Sequence, residues 1–156
     1  MKPITPKWLG LVLAVVLLAA CSGNLREVVG EPPQTLLYSL ARDGETVIVE
    51  LALRNVNDAP LSLTAAWLTF ELDGRPLVDG GNDLALLVSA RGREVIRFDL
   101  PADPAGLERL EALGGGSVQR LPWTMQLQLS LDSSGKRATR AEGWLHRVPG
   151  QKHRFR

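Results

Sequence analysis

From Leu36 onward the chain alternates apolar and polar positions with a period of two, the pattern of strands buried on one face. Leu36, Tyr38 and Leu40 form one stripe against Leu37 and Ser39. Asp43-Gly44 is a hairpin signal, after which Val47, Val49, Leu51 and Leu53 alternate with Ile48, Glu50, Ala52 and Arg54. Two antiparallel strands are predicted. Asn55-Val56-Asn57-Asp58-Ala59-Pro60 breaks the alternation with residues that bond their own main chain, so this stretch is a loop. Leu61 to Leu63 can pair briefly, and Ala66, Leu68, Phe70 and Leu72 then line one face of a longer strand ending at Asp73-Gly74. Leu77-Val78 returns, Gly80-Gly81-Asn82-Asp83 predicts a further break, and Leu84 to Val88 forms the next short strand. After a turn at Arg91-Gly92, Ile96, Phe98 and Leu100 face one way, and Arg93, Arg97 and Asp99 the other.

One segment changes period. Asp103 suits an N-cap and Pro104 the first helical position; Leu107, Leu110 and Leu113 recur at helical spacing, and Gly114-Gly115-Gly116 stops the run. The strand alternation then resumes in its clearest form. Trp123, Met125, Leu127, Leu129 and Leu131 oppose Thr124, Gln126, Gln128 and Ser130; Asp132 to Gly135 turns the chain, and Ala138 to His146 returns. About seven short strands and one short helix predict a mainly β protein, an antiparallel sandwich of fibronectin-III or immunoglobulin-like type.

The first residues follow a different pattern. Lys2 and Lys7 precede an uncharged apolar run from Trp8 to Ala20, which ends in small residues before Cys21, the single cysteine of the chain. That is the layout of a secretory signal. The run is thirteen residues, whereas a helix needs roughly 20 to cross a bilayer. Leu18-Ala19-Ala20-Cys21 resembles the lipobox of bacterial lipoproteins, which implies cleavage between Ala20 and Cys21 and lipidation of Cys21. Lipidation also accounts for a lone cysteine in an oxidising compartment. Ser22 follows in place of an acidic residue, which by analogy with lipoprotein sorting implies the outer membrane, facing the periplasm. Residues 1–20 are thus expected to be the signal, 21–34 the lipidated N-terminus and linker, 35–147 the sandwich and 148–156 a basic tail.

Charge narrows the function further. The whole chain has 18 basic and 17 acidic residues, and loss of Lys2 and Lys7 with the signal leaves the mature chain at −1. That balance offers nothing to nucleic acid. His146 and His153 have no nucleophile or metal-ligand spacing around them, so no enzyme, cofactor or metal is expected. Asp79 and Asp83 flank a glycine pair, and whether that loop binds a cation is open; the spacing is not that of an EF-hand. Ser133-Ser134-Gly135-Lys136 lacks the upstream glycine of a phosphate loop, and Gly114 to Gly116 leads into a strand and not a helix. Lys152, Arg154 and Arg156 make a tail that could touch anionic lipid, although a solvated terminus is the ordinary meaning. Trp67 and Trp144 fall off their strands' apolar stripes or at strand ends; packing across a sandwich is the default, and exposed contact the alternative.

The strand running into Leu53-Arg54-Asn55-Val56-Asn57-Asp58-Ala59-Pro60, the strand ending in Leu72-Asp73-Gly74-Arg75, and Arg93 to Phe98 resemble the water-stress and hypersensitive-response (WHy) domain of the type 2 late-embryogenesis-abundant (LEA) family. The resemblance spans about Leu36 to Leu145. Asn55 and Asn57 occupy the family's Asn-Pro-Asn signature, with Val56 at the proline position. From the residues themselves, Asn55 and Asn57 are expected to shape the loop through side-chain to backbone bonds. The resemblance implies a non-enzymatic protein that protects proteins or membranes in drying or freezing. The alternative is an envelope adaptor lipoprotein that binds one partner protein, for example through a strand edge.

Overall fold

A computed structural model describes residues 27–132 and 135–156. Eight strands and one helix follow in the order β1 (Gln34–Asp43), β2 (Thr46–Arg54), β3 (Leu61–Leu72), β4 (Arg75–Val88), β5 (Arg93–Pro101), α1 (Pro104–Gly115), β6 (Arg120–Leu131), β7 (Gly135–His146) and β8 (Arg154–Phe155). They form two antiparallel sheets, β5-β2-β1-β8 and β4-β3-β6-β7. Their inner faces meet in one core containing Val47, Val49, Leu51 and Leu53 of β2, Leu68, Phe70 and Leu72 of β3, and Met125, Leu127 and Leu129 of β6. Phe70 stacks on Trp123 at a centroid distance of 5.5 Å. The sandwich expected from the alternation is the one observed.

The helix begins and ends where local chemistry predicts. Asp103 accepts a hydrogen bond from the Ala105 N–H at 2.9 Å, Pro104 opens the helix, and Gly116 closes it at φ 81°; such a cap contributes about 1 kcal/mol. Leu110 and Leu113 are buried. A Cβ at Gly106 would strike the Pro76 carbonyl and Leu77, so glycine lets α1 lie directly on β4.

Four expectations change. The stripe of Leu36, Tyr38 and Leu40 is split by a bulge between Leu37 and Ser39. Leu40 is buried, while Leu36 and Tyr38 are exposed, because one extra residue reverses the facing of everything before it. Gly80-Gly81-Asn82-Asp83 is no break: β4 runs through it, paired with β3 from Leu72↔Arg75 to Leu61↔Val88. Leu61 to Leu72 is likewise one strand, with a bulge between Leu63 and Ala65. Glycine in a strand there reflects close approach: a Cβ on Gly80 would lie 2.6 Å from Leu100 Cδ2.

The last correction concerns the two chain ends. The C-terminal residues form an eighth strand and not a solvated tail: Leu40 pairs with Phe155, whose ring is buried, and Arg156 exchanges backbone hydrogen bonds with His146 at 2.8 and 3.0 Å. β8 therefore bridges β1 of one sheet to the end of β7 in the other. Residues 28–33, expected to be spacer, also dock on the fold, with Pro33 buried.

Candidate functional site

The loop between β2 and β3 is a buried polar knot. Asn55 is 0% and Asn57 5% exposed, unusual for amides unless every polar atom is satisfied. Asn55 Nδ2 donates to the carbonyls of Ala59 (2.8 Å), Ser89 (3.1 Å) and Val88 (3.3 Å), while Asn55 Oδ1 accepts from the backbone N–H and the amide of Asn57, both at 3.0 Å. Asn57 in turn holds the N-terminal segment: Glu31 N–H donates to Asn57 Oδ1 at 2.8 Å, and Asn57 Nδ2 donates to the Glu31 carbonyl at 2.9 Å. The two amides thus join three stretches: the segment entering the sandwich, their own loop, and the β4–β5 turn. This matches the loop-shaping role expected for them and extends it to the chain entry.

The turn is locked from outside by Asp58. Its carboxylate accepts from Arg91 Nε and from the Val28 N–H, both at 2.7 Å. The Arg91 hydrogen bond first, and the Val28 amide second, hold the Asp58 carboxyl below the usual range; the same contact raises Arg91. Arg91 sits at φ 58°, a left-handed conformation, and its N–H reaches the Asn57 carbonyl at 3.0 Å. Nothing in the alternation pattern marks this pair; the polar residues at two distant turns were its only trace.

The other expected residues fall apart spatially. Ala20, Cys21 and the signal lie outside the described residues, as do Ser133 and Ser134. Asp79 and Asp83 are four residues apart on an unbroken stretch of β4, roughly 13 Å along a strand, too far to share an ion. Asp79 instead accepts hydrogen bonds from Trp67 Nε1 and Thr69 Oγ1, each at 2.8 Å. Among the described residues no three metal-donor side chains cluster. His146 and His153 are both exposed, His146 held through its backbone to Arg156. Lys152, Arg154 and Arg156 are exposed, but β8 joins β1 at Leu40 and Ala41, roughly 20 Å along the strand from Gln34, where the chain enters. Trp67 and Trp144 are both half exposed, and the Arg120 guanidinium stacks 4.2 Å from the centre of Trp144.

The surface that sequence reasoning missed is the outer face of β5-β2-β1. Leu36 pairs with Ala52, and Ala52 with Val95, so these three side chains form one row across the sheet. The bulge adds Tyr38 beside them. Leu36, Tyr38 and Val95 are 69%, 63% and 52% exposed. Polar rows frame the strip: Gln34, Arg54 and Arg93 on one side, and Ser39, Glu50 and Arg97 on the other, with Ser39 donating to Glu50 at 2.6 Å. A contiguous apolar patch with a polar rim is the form of a contact surface, not of scattered surface residues.

No family model and no curated protein matches the chain. Solved structures do. The solution structure of an Arabidopsis thaliana protein aligns with a TM-score of 0.58 at 12% identity, covering 81% of this chain and 89% of that one. A crystal structure of a protein from Archaeoglobus fulgidus aligns at 0.46 and 12% identity, covering 76% and 97%. The solution structure of a protein described as a candidate late embryogenesis abundant (LEA) protein aligns at 0.42 and 11% identity, covering 90% and 83%. The likeness to the Arabidopsis protein shows a shared fold: the chain is a β-sandwich of that architecture.

Proposed function

We propose that this chain is a lipid-anchored LEA type 2-like protein, non-enzymatic, that protects proteins or membranes by surface contact at the periplasmic side of the outer membrane. The lipobox-like Leu18-Ala19-Ala20-Cys21 and the WHy-like strand order support the anchor and the class. The observation that carries the protective role is the exposed strip of Leu36, Tyr38, Ala52 and Val95 on a rigid sheet. A protein loosened by cold or drying exposes apolar segments, and an apolar strip with a polar rim gives them somewhere to rest other than one another. The knot of Asn55 and Asn57 clamps residues 28–31 to the pole where the chain enters, so a lipid at Cys21 would hold the domain by that pole, with the strip on the outer face of the sheet close to it.

Freeze–thaw of a labile test enzyme with the purified protein tests this. The enzyme is expected to keep more activity than with an equal mass of an inert protein, and Leu36→Ser/Tyr38→Ser/Val95→Ser is expected to lose most of that benefit without losing the fold. Equal protection by the inert protein overturns the reading. One stoichiometric partner cross-linked through the strip in intact cells would make the chain an adaptor instead.

A further inference from the structure

We propose that the outer face of β4-β3-β6-β7 binds a neutral polysaccharide strand, with Trp67 as the stacking platform. This site is distinct from the apolar strip and independent of the proposed protective role. Trp67 is 50% exposed yet immobilised. Its Nε1 donates to Asp79 at 2.8 Å, and Thr69 Oγ1 holds the same carboxylate oxygen at 2.8 Å. The partner of Trp67 on β4 is Gly81, where a Cβ would come within 2.7 Å of Trp67 Cε3. Glycine there lets the indole lie down on the sheet. A ring held in place loses little freedom on contact, so its area converts efficiently into binding.

Around that ring the face is a field of amides and hydroxyls. The register places Thr69 and Gln126 beside Arg140 in one row, and Trp67 and Gln128 beside Ala138 in the next. Shallow depressions of about 420 and 340 Å³ lie along these rows, the first reached by Thr124 and Gln126, the second by Gln128 and Ser130. The chemistry selects the occupant. Glu71, Asp79, Asp83 and Glu142 slightly outnumber Arg120, Arg140 and Lys136 on the face, so it offers no excess of positive charge to nucleic acid or other polyanions. β3 and β6 are hydrogen-bonded on both sides, so their backbone offers nothing to an added peptide strand. A pyranose presents a flat C–H face to an indole and a rim of hydroxyls that donate and accept, as do Gln and Thr side chains. Successive sugars of one strand would occupy the two depressions.

The test titrates the full chain in detergent with neutral hexasaccharides of β-1,4-glucose, β-1,4-N-acetylglucosamine and α-1,4-glucose, followed by calorimetry and tryptophan fluorescence. Saturable binding of at least one is expected, with a dissociation constant on the order of 1 mM. Trp67→Ala is expected to abolish it and Trp67→Phe to retain it within a few-fold. Gln126→Ala and Gln128→Ala should each weaken it several-fold, while Trp144→Ala leaves it unchanged; circular dichroism verifies that each variant folds. Three outcomes overturn the site: no binding of any of the three sugars well above that concentration, binding that survives Trp67→Ala, or tighter binding of a heparin hexasaccharide.

Discussion

The segment entering the sandwich is held by hydrogen bonds to a buried polar loop, whereas the segment leaving it is held by one buried ring and a short ladder. At the entry, Glu31 exchanges two bonds with Asn57, and Val28 exchanges two with Asp58. At the exit, Phe155 is 2% exposed opposite Leu40, and Arg156 pairs with His146. The two attachments obey different rules. A polar clamp depends on particular atoms and fails when one partner is deleted, because the others remain buried without a mate. An apolar plug depends on volume and tolerates a change of shape that keeps it.

The exit therefore gives the largest effect. Phe155→Ala is expected to cost about 3–5 kcal/mol in urea unfolding, and Phe155→Leu under about 1.5 kcal/mol. Removing everything after Val148 should cost at least as much as Phe155→Ala. Similar losses for the alanine and leucine variants would mean that the ring acts through something other than volume.

Asn55→Ala comes next, at about 2–3 kcal/mol, since it leaves the carbonyls of Ala59, Val88 and Ser89, and the Asn57 N–H, without their partner. Hydrogen exchange should rise together at residues 28–31 and in the β4–β5 turn. Faster exchange at the turn alone would show that the knot does not clamp the entering segment.

A smaller effect separates the two ends by pH. The folded Asp58 carboxyl is held below its ordinary range by Arg91 and Val28, so its contribution is present above the unfolded value near about 3.9 and is lost as pH falls through the lowered folded value. Both side chains of the pair are solvent-accessible, which keeps the effect small. The stability gap between the wild type and Asp58→Asn is expected at neutral pH and should close in acid below about pH 4; a gap constant across that range would discard the ion pair as its source. Arg154→Ala, on the exposed side of β8, should change stability by less than about 0.5 kcal/mol.

Local chemistry was legible wherever one short segment decides its own conformation. The Asp103-Pro104 start of α1, the turns at Gly44 and Gly74, and the alternation of β6 from Trp123 to Leu129 stand in the structure as the residues predict, while Leu131, at the end of that predicted stripe, is only half-buried. Asn55 and Asn57 were legible as loop-shaping residues, though not as the clamp on Glu31, because the entering segment lies 26 residues away in sequence. The outward turn of Leu36 and Tyr38 was hidden, since a bulge is a mismatch between two strands and alternation within one strand carries no record of it.

The sequence by itself determined that this chain pairs strands with one apolar face inward, where the turns at Gly44 and Gly74 lie and where α1 starts and stops, because those depend on side-chain period and on dihedral preferences a few residues long. Tertiary structure alone decided that Gly80 and Gly81 stay in a strand under Leu100 and Trp67, that Phe155 closes the edge of β1, and which apolar residues remain outside. Each of these rests on a neighbour far along the chain, whose approach overrides what glycine, a basic terminus or an alternating stripe would do alone.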